Sequence, residues 1–209
     1  MRRDEIEAQI RDFHEKGIGG FFIHARFGLE TEYLSQGWME CIERAVAVAE
    51  ELGMEVWLYD ENAFPSGIGD LKVSRVREFR SKFIDLDESG DAPVYSKRVL
   101  EDPNDVVFGV DYLNPDAMQA FFDLTLKPYE QALGKHFGKT IKGIFTDEPT
   151  LLPWHHNINW YGQREHTRVV VWDDRIEAEM MRRCAHYVAT DTEEGRDSRA
   201  VGMTMAAFT

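Results

Sequence analysis

Three short apolar runs in this chain end in residues able to do acid–base or ion-pairing chemistry. Gly19-Gly20-Phe21-Phe22-Ile23 leads into His24 and Arg26, Val56-Trp57-Leu58-Tyr59 into Asp60 and Glu61, and Ile144-Phe145-Thr146 into Asp147 and Glu148. Carboxylates gathered near aromatic rings suit glycoside hydrolysis, in which one carboxyl protonates the leaving oxygen and another activates water or attacks the sugar. Trp57, Tyr59, Phe64, Trp154 and Trp160 can offer apolar faces to a sugar ring. Trp57 lies within a strand and is expected in the core. Trp154 follows Pro149 and Pro153 in a loop and is expected to meet a ligand.

Metal binding is the competing use of the same groups. His24, Asp60, His136, Asp147, His155 and His156 are the side chains from which a metal-dependent hydrolase would be built. No two histidines have the H-x-H or H-E-x-x-H spacing of a zinc site, and the adjacent His155 and His156 direct their rings differently. Asp60, Glu61, Asn62 and Asp111 are hard oxygen ligands of the kind calcium takes, with Asp60 and Glu61 the leading pair. Nucleotide chemistry finds no support. There is no P-loop or G-x-G-x-x-G, and Gly17-Ile18-Gly19-Gly20 precedes a strand rather than a helix.

The elements that must position these residues are legible from periodicity. Residues 3–16 place Ile6, Ile10 and Phe13 at helical spacing and stop at Gly17. Trp38 to Leu52 is strongly amphipathic, with Cys41, Ile42, Ala45, Val46 and Ala49 on one stripe, and Gly53 ends it. Asn114-Pro115 is a favoured helix start and predicts one long helix to about His136. The three apolar runs read as strands buried on both faces. Residues 62–105 carry too much Gly, Pro and Asp punctuation for assignment. The order is helix, strand, helix, strand, excursion, helix, strand, which predicts an α/β fold of right-handed β-α-β units around a parallel sheet. In such sheets ligands bind at the C-terminal strand ends, so the three polar termini should converge on one rim.

Composition bounds the partners. With 24 Lys plus Arg against 38 Asp plus Glu, the net charge is −14, and such a surface repels phosphate backbones. Met1-Arg2-Arg3 and Arg182-Arg183 are too small a basic patch for nucleic acid. Cys41 and Cys184 make no disulfide framework and read as buried or half-buried thiols. No apolar run approaches the roughly 20 residues that cross a bilayer, and no signal-peptide core follows the basic start. The chain is therefore expected to be soluble, with neither a membrane nor nucleic acid as partner.

Three stretches carry a family resemblance. They are Gly17-Ile18-Gly19-Gly20-Phe21-Phe22-Ile23-His24-Ala25-Arg26-Phe27-Gly28-Leu29-Glu30-Thr31, then Val56 through Gly67 (Val56-Trp57-Leu58-Tyr59-Asp60-Glu61-Asn62-Ala63-Phe64-Pro65-Ser66-Gly67), and Asp111-Tyr112-Leu113-Asn114-Pro115 leading to Gly143-Ile144-Phe145-Thr146-Asp147-Glu148-Pro149. In this order they resemble the catalytic β/α barrel of α-L-rhamnosidase-like glycoside hydrolases, the group around glycoside hydrolase family 106. The resemblance covers about residues 4–154. It implies that Glu148 ends the fourth strand of a TIM-type barrel and is the general acid, beside Asp147. Neighbouring negative charge and partial burial would keep such an acid protonated. It further implies sugar or ion binding by Asp60 and Glu61, substrate contacts from His24 and Arg26, calcium assistance, and a base on a later strand. Asp173 or Glu177, after the run Val169-Val170-Val171-Trp172, is the candidate for that base.

A closed eight-stranded barrel takes about 250 residues, more than the 209 present. The expectation is therefore about half a barrel over residues 1–154, with 155–209 unassigned. A half-barrel exposes strand edges, and self-association through an open edge would cover them. An inactive carbohydrate-binding remnant and a metal-dependent hydrolase are the alternatives to a working glycosidase.

Overall fold

The computed structural model describes residues 2–26, 28–62, 64–87, 90, 94–99, 101, 109–149, 151, 167–176 and 178–183. Trp154, His155, His156, Trp160, Glu177 and Cys184 lie outside these residues. The architecture is mixed α/β, built on a parallel three-stranded sheet.

Helix α1 (Arg3–Glu15) is followed by β1 (Gly20–Ala25), α2 (Gln36–Leu52) and β2 (Glu55–Asn62). The α2 start is fixed by Ser35, whose hydroxyl oxygen accepts from Trp38 N at 3.2 Å. Its end is fixed by Gly53, in the left-handed region at φ 68°, whose N–H caps the last turn. The chain later forms α3 (Pro115–Phe121), a π turn (Phe122–Leu126), α4 (Lys127–Leu133) and β5 (Ile141–Phe145). The strands run in the order β1-β2-β5, all parallel.

The long helix expected from Asn114 to about His136 is present and runs without a gap from Pro115 to His136, with its middle turn widened to π spacing and its last turn tightened. Pro128 has no N–H to donate and its ring crowds the preceding turn, so the chain widens there before α4 begins. Thr125 Oγ1 donates to Phe121 O at 2.8 Å inside the widened segment.

One face of the sheet is covered. Val56, Leu58 and Ile141 are fully buried and belong to one core with Trp38, Ile42, Ala45, Val46 and Ala49 of α2 and Tyr129 and Leu133 of α4. Trp38 Nε1 donates to Tyr129 Oη at 3.0 Å, so the polar tips of two buried rings satisfy each other. Cys41 is buried in this layer and is in no disulfide among the described residues. The opposite face is open. Phe22 is 56% exposed, Phe145 43% and Trp57 36%, so Trp57 is a surface side chain and not the core residue its strand position suggested.

The unassigned region holds a hairpin. β3 (Lys82–Asp87) pairs antiparallel with β4 (Val94–Val99), and β6 (Thr167–Trp172) pairs antiparallel with β3 on its other side. β6 therefore ends in the second sheet and not on the parallel one. The segment leading to the hairpin makes a smaller core, in which Ile68, Val73 and Val110 pack with Ala117 and Phe121 of α3. Among the described residues no helix is long and apolar enough to cross a membrane.

Candidate functional site at the rim of the parallel sheet

β1, β2 and β5 are parallel and adjacent, so Arg26, Asp60–Asn62 and Asp147 come together at their C-terminal ends. The pairing of β1 with β2 runs regularly to Ile23↔Leu58 and then jumps to Ala25↔Asn62. That irregularity sets extra residues of β2 opposite His24. It breaks the inside–outside alternation, so that Tyr59, Asp60 and Glu61 are all buried in succession.

Asp147 is the centre of the arrangement. Its Oδ2 accepts from Tyr59 Oη at 2.8 Å and from Arg26 Nη2 at 3.1 Å. The Arg26 guanidinium lies 5.6 Å from the centre of the Tyr59 ring and 5.5 Å from that of Phe64, a cation–π seat on both sides. The His24 ring stands edge-on to Tyr59, with centroids 3.8 Å apart. Partial burial, and then the Arg26 charge, lower the His24 pKa against the opposing pull of Asp147. The imidazole is therefore neutral near pH 7 and can both donate and accept. Burial and the bond to Asp147 raise the Tyr59 pKa, which keeps its phenol a donor.

Asp60 and Glu61 are turned inward. Asp60 accepts from Ser66 Oγ on one oxygen and from Thr146 Oγ1, at 2.8 Å, on the other. Burial raises its pKa and these two bonds oppose the rise. Glu61, fully buried, accepts from the backbone N–H of Asn62 at 2.9 Å, Gly69 at 2.7 Å and Asp70 at 2.7 Å. Burial lifts its pKa to about 7 against those three bonds. Glu61 thus holds the loop after β2 in place and has no oxygen facing the rim. With both carboxylates engaged in this way, the pair does not fit a calcium ion. Among the described residues no group of three or more His, Cys, Asp and Glu is placed to hold a metal.

Ser66, missed by the sequence reading, links the two strand ends. Its N–H donates to Asp147 O at 2.8 Å, its Oγ accepts from Asp147 N at 2.8 Å and donates to Asp60, and its carbonyl accepts from Tyr112 Oη. Gly67, at φ 116°, lets the loop pass under the Tyr112 ring, where a Cβ would come within 2.7 Å of a ring carbon. The quoted stretch Phe64-Pro65-Ser66-Gly67 was the available signal, because a Ser-Gly pair after a strand terminus marks a turn whose hydroxyl is free to bond.

Glu148 is exposed, and its backbone is in the left-handed region at φ 46°. It makes no hydrogen bond or ion pair among the described residues. The partial burial expected of it is absent because the sheet face beside it is open. Asp173 is buried at the far end of β6, where its Oδ1 accepts from Arg175 N at 2.8 Å and Lys82 Nζ lies 3.7 Å from Oδ2. It starts a helical turn in the second sheet, and the geometry gives it no part in the rim.

The chain matches no family model, no curated protein and no solved structure. The rim offers an anchored carboxylate flanked by a guanidinium, a phenol and a neutral imidazole, with a free carboxyl one residue further on and aromatic faces below. Such a set can accept and donate hydrogen bonds to a polyhydroxylated ligand while giving its apolar face something to lie on.

Proposed function

We propose that the chain binds carbohydrate at this rim and belongs to a glycoside hydrolase of the α-L-rhamnosidase-like kind. The parallel sheet then corresponds to part of a β/α barrel. The observation that carries the reading is the seating of Asp147 by Tyr59 and Arg26 beside an exposed, unengaged Glu148. In this reading Glu148 delivers its proton to the glycosidic oxygen, which takes the bonding pair as the C–O bond breaks, and a water molecule bonds to the anomeric carbon in its place and loses a proton to solvent. Asp147, held by Arg26, balances the positive charge that develops on the sugar ring, and His24 and Arg26 hold hydroxyl groups. Binding without turnover is the second reading. It is favoured by the inward engagement of Asp60 and Glu61, which removes the carboxylates of β2 from the reacting face.

The test is hydrolysis of an aryl α-L-rhamnoside by the chain and by Glu148→Gln, with calorimetry against L-rhamnose alongside. Turnover abolished by the substitution supports the hydrolase. Binding with no turnover in either protein supports the second reading, and undiminished turnover in Glu148→Gln overturns the acid assignment.

A further inference from the structure

Glu148 leaves β5 in a backbone conformation that its residue type does not favour. Its φ is 46°, in the left-handed region. A residue with a Cβ crowds its own carbonyl there, and the conformation persists where neighbouring bonds impose it.

The bonds that impose it fall on the residues just before. Ser66 N donates to Asp147 O at 2.8 Å, which fixes the plane of the peptide joining Asp147 to Glu148. Asp147 N donates to Ser66 Oγ at 2.8 Å, which fixes the plane ahead of Asp147. The N–Cα bond of Glu148 lies in the first of these planes, so its direction is set. Only φ then decides where the Glu148 Cβ points.

Asp60 stands behind this clamp. One of its oxygens accepts from Ser66 Oγ and the other from Thr146 Oγ1 at 2.8 Å. A serine hydroxyl has a single proton. Because Ser66 gives that proton to Asp60, its lone pairs are left to receive Asp147 N. The second bond holds Thr146, the residue ahead of Asp147. Asp60 thus grips the exit of β5 at two consecutive positions, once through Ser66 and once directly. At 3% exposure, with both oxygens engaged, it has no face to offer a ligand.

We propose that Asp60 is a positioning residue that acts through Ser66 and Thr146. It holds the Asp147–Glu148 turn in the left-handed conformation that aims the Glu148 carboxyl at the leaving oxygen. The proposal rests on the hydrolase reading of the rim and adds to it what keeps the acid in place.

A displaced acid matters only where the leaving oxygen needs a proton. Dinitrophenolate departs without one, whereas phenolate is a poorer leaving group and is helped by protonation. Turnover of phenyl and dinitrophenyl α-L-rhamnoside is therefore compared in the unsubstituted chain, Asp60→Asn, Thr146→Val and Thr146→Ser. Asp60→Asn puts a donor where one of two acceptors stood. Thr146→Val removes a hydroxyl at nearly constant shape, and Thr146 is exposed, so this variant spares the core if Asp60→Asn does not fold. Both should lower kcat on the phenyl rhamnoside about tenfold or more, because misplacing a catalytic group is costly. KM and dinitrophenyl turnover should stay as they were, and Thr146→Ser, which keeps the hydroxyl, should restore phenyl turnover.

Equal losses on the two glycosides, a raised KM in place of a lowered kcat, or full phenyl turnover in Thr146→Val overturns the proposal and leaves Glu148 as the acid. So does a Thr146→Ser no better than Thr146→Val. If Glu148→Gln itself fails to separate the two glycosides, the acid assignment falls and the proposal with it. Absence of turnover of either glycoside by the unsubstituted chain overturns the proposal together with the hydrolase and leaves the binding reading.

Discussion

Ser66 and Asp147 hold each other by two backbone-directed hydrogen bonds: Ser66 N donates to Asp147 O, and Asp147 N donates to Ser66 Oγ, both at 2.8 Å. The two residues come from the loop after β2 and the exit of β5. Their bonding locks the carboxylate of Asp147 into the reach of Tyr59 and Arg26. Ser66→Ala removes the acceptor of a backbone N–H and one of the two donors to Asp60. The expected cost is roughly 1–3 kcal/mol, the usual consequence of leaving buried polar groups unpaired. Urea unfolding measures it, and an unchanged midpoint would show that the link is not maintained in solution.

Asp147→Asn should separate binding from stability. Arg26 is 47% exposed at its side chain, so its ion pair with Asp147 adds about 0–1 kcal/mol to folding. The loss of charge at the rim should instead weaken L-rhamnose binding at least tenfold, read by calorimetry. Unaltered affinity would remove Asp147 from the ligand site.

Glu61 makes stability depend on pH in an unusual direction. Its pKa is about 7 in the fold against 4.5 ordinarily, and that of Asp111, also raised by burial, is about 6 against 3.8. A carboxyl whose folded-state pKa is the higher one binds its proton more tightly when folded. Stability therefore rises as pH falls through the window from above 7 toward 4.5. Between pH 8 and pH 6 the gain should be roughly 1–2 kcal/mol, most of it from Glu61. Urea midpoints at the two pH values test this, and a higher midpoint at pH 8 would contradict it. Glu61→Gln should flatten most of the dependence.

Asn114 joins three segments. Its Oδ1 accepts from Asp116 N at 3.0 Å, Ala117 N at 3.4 Å and Arg175 Nη2 at 2.7 Å, and its Nδ2 donates to Glu78 O at 3.1 Å. Loss of a helix N-cap alone costs about 1 kcal/mol. Asn114→Ala is expected to cost about 1–2 kcal/mol and to speed amide exchange at Asp116 and Ala117 above all. Uniform exchange rates across α3 would argue that the cap is not the dominant interaction.

Most of the parallel sheet and its helices could be placed in advance because their signals are local. Ser35 and Gly53 bound α2 through bonds to the next turn, and the stripe from Cys41 to Ala49 has one period throughout. The β3–β4 hairpin was harder. Its pairing joins residues such as Lys82 and Val99 across a stretch of sequence containing Gly90 and Pro93, and neither strand is apolar enough to stand out alone. The irregular pairing between Ile23 and Ala25 had no local signal at all. It nevertheless decides that Asp60 and Glu61 both face inward, whereas simple alternation would have set one of them on the open face.

The amino-acid sequence by itself determined the order of elements, the alternation of helix with apolar strand, and the polar residues that follow each strand. These depend on residue type and spacing within a dozen positions. Only the tertiary structure decided which of those polar residues work as a group. Ser66 reaches Asp147, Glu61 reaches Gly69 and Asp70, and Trp57 lies on Gly143 because strands distant in the chain are set side by side. Hydrogen bonds and ring contacts act over a few ångströms in space, and separation along the chain carries no record of those distances.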